Sequence, residues 1–267
     1  MPDIDEAASR QKWIKPLARA GYAARGLVYL VVAFFAFLAA WSGAASEDTK
    51  GAIEFLTKNH AGDVLAILLV ASLAGYSIWR FFQTIFDTDD HGVGLKGLGI
   101  RAGLLASGIT YGVLAFYTYS LWRGSSNADD GDFAHVLARF VGAQATALVL
   151  AAVFAIVGGA HIVKAIRRKY RDHISADRQM MRYADPIAVA GLSARGAIFG
   201  VIALLLFRRG LAAGENRRTP GLREALDFII SLPLGSMLLG VTALGLLAFS
   251  LYSFIEAGWR RINVEDA

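Results

Sequence analysis

The chain has 267 residues, of which 55% are hydrophobic and 18% are charged, and its formal net charge is +5. A soluble domain of this composition would have too little polar surface to cover itself, so the composition indicates a membrane protein. The absence of cysteine excludes disulfides, thiolate metal sites and cysteine nucleophiles. The basic residues flank apolar runs and form no single polar face, so we expect no nucleic-acid binding.

A glycine-rich apolar segment occurs three times along the chain. Aligned on Gly26, Gly108 and Gly196, each copy has another glycine five residues earlier and an aromatic residue three residues later. The copies recur about every 85 residues, which indicates three structural units of one kind.

Each unit contains two apolar runs that can cross about 30 Å of hydrocarbon at about 1.5 Å per residue. We therefore expect six membrane spans, at 20–41, 63–83, 100–122, 143–165, 186–208 and 234–257. A short amphipathic segment joins the two spans of each unit, at 51–58, 133–141 and 222–232. The polar residues before Ala18 are predicted to form a tail or an interfacial turn that ends near Pro16.

These patterns predict an all-α integral membrane protein, a six-helix bundle in one transmembrane domain over residues 1–267. Its parts are unit one at 17–83, unit two at 98–165, unit three at 186–258 and a basic connector at 166–185. Because each unit has two spans, all three enter the membrane in the same direction. Parallel repeats of this kind are predicted to surround a pseudo-threefold axis along the membrane normal.

Lysine and arginine are about twice as numerous on the side that carries the termini, which predicts cytoplasmic termini in a cell inner (plasma) membrane. The lipid bilayer is therefore the expected environment. Segment 164–182 is the most basic stretch, and we expect it to contact anionic lipid headgroups. The sequence leaves open whether the chain binds a protein partner or forms a homo-oligomer.

The candidate polar site consists of a few side chains inside the predicted spans. Arg25 and Arg195 lie about one turn inside their helices, where we expect them to reach the interface or to pair within the protein. Glu256 is the one acid well within a predicted span. It can pair with an arginine on another helix or locally with Arg260, four residues later.

His161 and Tyr76 complete the candidate site. A single histidine after Gly158 and Gly159 is more typical of a hydrogen bond between helices than of a metal ligand. No histidine and glutamate cluster with metal-ligand spacing occurs, so we expect no metal and no cofactor. No acid, base and nucleophile set can be assembled either, so we expect no enzymatic activity.

Glycines spaced four apart predict close helix packing, because they place small residues on one helix stripe. The pairs are Gly99 with Gly103, Gly108 with Gly112, and Gly196 with Gly200.

The segment Ala18 to Gly26, ARAGYAARG, resembles the opening of the repeat in a family of bacterial membrane proteins known as domain of unknown function 1206. The resemblance extends from about Leu17 to Ile262 and implies three tandem two-helix repeats. The middle unit departs from the pattern, with Ser107 where the others have Arg25 and Arg195. The third has Val189 where the others have Arg19 and Arg101. The resemblance implies no activity, substrate or cofactor.

Three functions agree with these observations. The small inventory of intramembrane polar groups favours a structural or regulatory protein that acts through helix packing or protein partners. The alternative is a transporter or channel for a small solute along the repeat axis, and an intramembrane enzyme is the third. Inward-facing candidate residues would favour transport, particularly around a continuous polar cavity, whereas a dry centre would favour a packing role.

Overall fold

The computed structural model describes residues 4–42, 54, 62–87, 92–123, 142–212 and 222–261. Within these ranges the α-helices are α1 (Ile4–Ser42), α2 (Gly62–Phe86), α3 (Leu95–Trp122), α4 (Ala143–Ile166), α5 (Arg178–Leu211), α6 (Leu222–Ile230) and α7 (Gly235–Trp259). A short 3₁₀ helix, Lys169–His173, precedes α5. All the helices except α6 are long and apolar enough to cross a membrane, so the chain is a multi-pass membrane protein.

The predicted spans agree with the observed helices, and the all-α fold class is confirmed. The exceptions are the starts of α1 and α5, which begin at Ile4 and Arg178 and continue through Pro16 and Pro186. The prediction of a tail or turn ending near Pro16 is therefore wrong. Proline removes one backbone hydrogen bond, but the residues before Pro16 are mostly good helix formers, so the helix continues past the break.

The six spans pack in the order α3, α2, α1, α7, α5, α4. The widest interfaces join α1 to α7, α4 to α5, and α2 to α3, and narrower ones join α1 to α2 and α5 to α7. Among the described residues, α3 and α4 make no interface of comparable extent. The first and last spans of the chain therefore lie side by side in the middle of the row, and α3 and α4 lie at its two ends.

One contact recurs at all three wide interfaces. In each, the repeat glycine on the first span of a predicted unit (α1, α3 or α5) meets the neighbouring helix. The three contacts are Ser250 with Gly26, Ser77 with Gly108, and Gly158 with Gly196. In the first two, the serine hydroxyl donates a hydrogen bond of 2.7 Å to the glycine carbonyl oxygen. In the third, a Cβ atom on Gly158 would lie 2.9 Å from that oxygen, so only glycine fits. The recurrence supports the three-unit hypothesis.

In two of the three predicted units, a glycine on the first span of the unit packs closely against the second span. A Cβ atom at Gly21 would lie 2.1 Å from Cβ of Tyr76, and one at Gly191 would lie 2.6 Å from Cα of Phe249. At Gly103, the corresponding residue of the middle unit, no such neighbour lies within 4 Å. The middle hairpin is thus open, and the pseudo-threefold arrangement stays a prediction.

The predicted glycine stripes contribute unequally to this packing. Gly108 and Gly112 both face Ser77, and Gly196 packs against Ile162 on α4. A Cβ atom added at Gly99, Gly103 or Gly200 would have no neighbour within 4 Å.

The connector after α4 folds across the end of α7. The backbone N–H of Ser175 donates to the Trp259 carbonyl at 2.7 Å, and that of Arg261 donates to the His173 carbonyl at 2.9 Å. We call the end of the bundle that holds this connector, the start of α1 and the end of α7 the basic end. These bonds fix the connector to the bundle at this end.

An ionic contact joins the connector to the first turns of α5. Arg171 and Arg168 pair with the Asp185 carboxylate, and the Tyr170 hydroxyl donates to it at 2.6 Å. Burial and the bond to Asp185 raise the pKa of Tyr170, so its hydroxyl stays protonated and acts as the donor. Contact of this segment with lipid headgroups stays a prediction.

The short helix α6 confirms one of the three predicted amphipathic segments. Leu226 and Ala225 are fully buried on one face, and Glu224 and Asp227 are exposed on the other. The predicted segments at 51–58 and 133–141 lie outside the described residues, apart from Glu54, which is helical.

The difference between the closed and open hairpins can be tested with one pair of variants. Gly191→Ala should lower the free energy of unfolding by about 1–3 kcal/mol, because the new methyl group collides with the Phe249 backbone. Gly103→Ala should change it by less than about 0.5 kcal/mol, since no neighbour lies there. Reversible unfolding in mixed detergent micelles measures both values. Equal losses would contradict the open middle unit.

Candidate functional site

Arg25 lies next to the repeat glycine of α1 and is 6% exposed. Its Nε donates to Ser253 Oγ at 3.0 Å, and its Nη1 donates to the Tyr76 hydroxyl at 3.2 Å. Its Nη2 donates to carboxylate oxygen Oε2 of Glu256. A single side chain on α1 therefore binds both of its neighbours in the row, α2 and α7.

Glu256 receives a cation on each of its two carboxylate oxygens. Oε2 accepts from Arg25, and Oε1 accepts from Nη1 of Arg260 at 2.5 Å. Glu256 is 2% exposed and Arg260 is 9% exposed, so the group is buried. The two sequence interpretations, a pair across helices and a local pair, are therefore both correct. We call Arg25, Glu256 and Arg260 the ion cluster.

Aromatic rings enclose the Arg25 guanidinium. Its central carbon lies 5.0 Å from the ring centroid of Tyr22, 5.2 Å from that of Phe249 and 5.8 Å from that of Tyr76. Such rings attract a cation and also keep lipid and water away from it. Arg25 is thus held inside the bundle by pairing and does not extend to the membrane surface, which was the other expectation.

Arg195 lies at the corresponding position of α5 but has different surroundings. Its central carbon lies 4.5 Å from the ring centroid of Phe249, 5.0 Å from Phe199 and 5.1 Å from Tyr29. Its Nε is buried and has no hydrogen-bond partner among the described residues. Phe249 contacts both arginines and lies between the two sites.

His161 joins this second site through Phe199, whose ring centroid is 5.5 Å from that of the imidazole. Its Nδ1 lies 2.8 Å from the Val157 carbonyl oxygen, which can only accept, so Nδ1 carries the proton. The hydrogen bond stays within α4 and does not join two helices as expected. The carbonyl one turn earlier is always within reach of a helical side chain, which favours this local bond.

The structure brings all five predicted residues into one connected set. Arg25, Glu256 and Tyr76 are bonded directly, Arg195 is linked to them through Phe249, and His161 is linked to Arg195 through Phe199. Sequence reasoning missed several members of the set, which are Tyr22, Arg80, Lys164, Phe249 and Ser253. Ser253 could have been found, because it precedes Glu256 by one turn on the same helix face. Phe249 precedes Glu256 by two turns.

Basic residues outnumber acids in this region. Arg25, Arg260 and Lys164 act on the Glu256 carboxylate, while Arg80 lies over the Tyr76 ring and Arg195 over the Phe249 ring. Arg80 donates to the Tyr76 hydroxyl and, at 3.0 Å, to Gln83. The ammonium of Lys164 lies 5.8 Å from the ring centroid of Tyr252. The region therefore carries a net positive charge.

A pocket of about 310 Å³ opens at the basic end and reaches Arg260. Its lining residues are Lys15, Arg19, Ser175, Gly258, Trp259, Arg260 and Arg261. No carboxylate lines it among the described residues. In the same parts of the chain, no group of three or more histidine, aspartate or glutamate residues is placed to hold a metal ion.

The fold and the site define a six-span helical membrane protein with a buried ion cluster near one end. The chain belongs to the family described as Domain of Unknown Function (DUF1206), whose family model matches residues 20–87 and 190–260. These ranges contain Arg25, Tyr76, Arg195 and Glu256, whereas His161 lies between them. The resemblance inferred from the sequence is confirmed at the level of the family, and the tandem repeat stays a prediction.

The chain is also similar to Uncharacterized protein YxxB of Bacillus subtilis (strain 168). The two are 30% identical over 258 residues, which covers 95% of this chain and 94% of that protein. No solved structure matches the chain.

The energetic weight of the ion cluster can be measured by removing one partner. Arg25→Gln should lower the free energy of unfolding by about 3–5 kcal/mol, because it leaves a buried carboxylate with one cation instead of two. Arg168→Gln is the matched control, since it breaks an ion pair with a half-exposed arginine and should cost less than about 1 kcal/mol. Unfolding in mixed micelles gives both values. Similar losses from the two variants would show that the cluster contributes no more than a surface pair.

Proposed function

We propose that the protein is a structural or regulatory component of the bacterial inner membrane, with both termini in the cytoplasm. It acts through helix packing or through a protein partner and catalyses no covalent reaction. The observation that carries this proposal is the complete internal bonding of Arg25. Each of its three nitrogens donates to a side chain of another span.

A site that binds and releases a solute must keep donors or acceptors available for it. At the ion cluster, Glu256 instead uses both carboxylate oxygens within the protein. Fully buried rings occupy the space around the cluster; they are Tyr22, Tyr76, Phe249 and Tyr252. The charges therefore serve to fix α1, α2 and α7 relative to one another, which is a packing role.

Transport of a small anion is the second candidate, and two observations favour it. Arg25, Tyr76 and Glu256 are buried, Arg195 and His161 are half-buried, and the side chains around Glu256 carry more positive than negative charge. The pocket at the basic end also reaches Arg260, which belongs to the ion cluster. A solute pathway that starts in this pocket would lead to the cluster.

A flux assay separates the two candidates. The purified protein is reconstituted into liposomes that contain a pH reporter or an anion reporter, and a gradient of protons, chloride or acetate is imposed. The structural proposal expects wild type and Glu256→Gln to leak no faster than liposomes without protein. A flux through wild type that Glu256→Gln abolishes would overturn it and support transport.

The proposed orientation follows from the excess of lysine and arginine at the basic end. The natural chain has no cysteine, so single cysteines report topology directly. In spheroplasts, Arg123→Cys should react with a membrane-impermeant maleimide, because it follows α3 at the opposite end. Lys169→Cys, at the basic end, should react only after permeabilisation. The reverse labelling pattern would place the termini outside the cytoplasm.

A further inference from the structure

The pocket at the basic end is built from three parts of the chain that are distant in sequence. Lys15 and Arg19 come from the start of α1, Ser175 comes from the connector, and residues 258–261 come from the end of α7 and just beyond it. The backbone bonds that join the connector to α7 therefore also hold the walls of the pocket together. Its volume of about 310 Å³ lies near the lower limit, about 300 Å³, of pockets that bind small ligands.

Helix α1 supplies two cations to this pocket because it continues through Pro16. Lys15 and Arg19 are four residues apart in the unbroken helix, so they lie one turn apart on the same face. Neither side chain is paired with a carboxylate among the described residues. One wall of the pocket therefore carries two positive charges without a counter-ion in that part of the chain.

The wall that follows α7 carries two arginines in different states. Arg260 is paired with Glu256, so its charge is compensated within the protein. Arg261 instead donates from Nε to Ser175 Oγ at 2.6 Å, and this neutral hydroxyl orients the guanidinium without compensating its charge. Together with Lys15 and Arg19, Arg261 gives the pocket three cations that no carboxylate of the described residues neutralises.

The charge and the donors of the pocket indicate a phosphate group as its ligand. A phosphate monoester carries a charge of about −1.5 to −2 at neutral pH and three acceptor oxygens. The forked N–H groups of arginine match this geometry, and lysine adds a point charge. A carboxylate or a halide ion has a single negative charge and would leave most of the positive charge of the pocket uncompensated.

The position of the pocket indicates where such a phosphate would come from. Trp259 is the last residue of α7, lines the pocket and is 42% exposed. A tryptophan at the end of a span is typical of the headgroup level of a bilayer, which is also the level of the lipid phosphates. The pocket thus lies where the headgroup of a lipid can reach it from the side and a soluble phosphate from the water.

We propose that this pocket binds a phosphate group, carried by a membrane lipid or by a soluble compound, through Lys15, Arg19 and Arg261. The inference goes beyond the proposed function, which assigns no ligand to the protein. It also differs from a general attraction of the basic segment 164–182 to anionic lipids, because Ser175 is the one residue of that segment that lines the pocket.

The experiment measures thermal denaturation of the full-length protein in dodecyl maltoside micelles. In one arm, phosphatidic acid or phosphatidylglycerol is added to the micelles, with phosphatidylcholine as the control whose headgroup has no net charge. In the other arm, sodium phosphate is compared with sodium chloride at equal ionic strength. The wild-type midpoint should rise and saturate in at least one arm. A response to lipid alone identifies a headgroup as the ligand, and a response to sodium phosphate identifies a soluble phosphate.

Three variants locate the ligand within the basic end. Arg19→Gln and Lys15→Gln should each weaken the apparent affinity about tenfold, because each removes a charged donor from the pocket. Arg167→Gln is the matched control, since Arg167 is an exposed cation at the same end that does not line the pocket. It should leave the affinity unchanged. Lys15→Gln decides the question if Arg19→Gln does not fold.

Three results would overturn the proposal. The first is a wild-type midpoint that rises no more in the phosphate-bearing additives than in their controls. The second is a wild-type affinity in both pocket variants. The third is an equal loss of affinity from Arg167→Gln and Arg19→Gln, since the ligand would then be attracted to the whole basic end and not held in the pocket.

Discussion

The contact between Arg25 and Glu256 determines which helices of this bundle must be neighbours. Either charge alone would be costly among apolar spans, whereas each neutralises the other when they pair, and Arg260 bonds the remaining carboxylate oxygen. Their pairing places α1 against α7, the two spans that are farthest apart in the chain. With those two helices at the centre of the row, α2 and α5 lie outside them, and α3 and α4 occupy the ends.

The three wide interfaces combine one glycine contact with different charged side chains. Arg25 is paired with Glu256, whereas the Arg195 guanidinium lies among the rings of Tyr29, Phe199 and Phe249. In the middle unit Ser107 replaces the arginine, and the cation is instead Arg80 on α2, which bonds to Tyr76 and Gln83. Serine or glycine contacts at the repeat glycines keep the helices together in all three cases. The glycine contacts are therefore common to the three wide interfaces, whereas the charged side chains beside them differ.

Much of the fold could be predicted from the sequence, because apolar runs define spans and the repeat glycines define units. The candidate site was also predictable in part, since Glu256 is the one acid well inside a span and has few possible partners. The double use of Glu256 was not predictable. It depends on the rotation of α1 against α7, and helices that are apolar on all sides encode little information about rotation. The helical continuation past Pro16 and the open middle unit depend likewise on tertiary contacts.

The position of the ion cluster also has a consequence for biosynthesis. Arg25 emerges from the ribosome 231 residues before Glu256. The first helix must therefore enter the bilayer with an unneutralised guanidinium and wait for the last helix before the bundle can close. A chain that ends before α7 therefore lacks the carboxylate that neutralises Arg25 in the complete bundle.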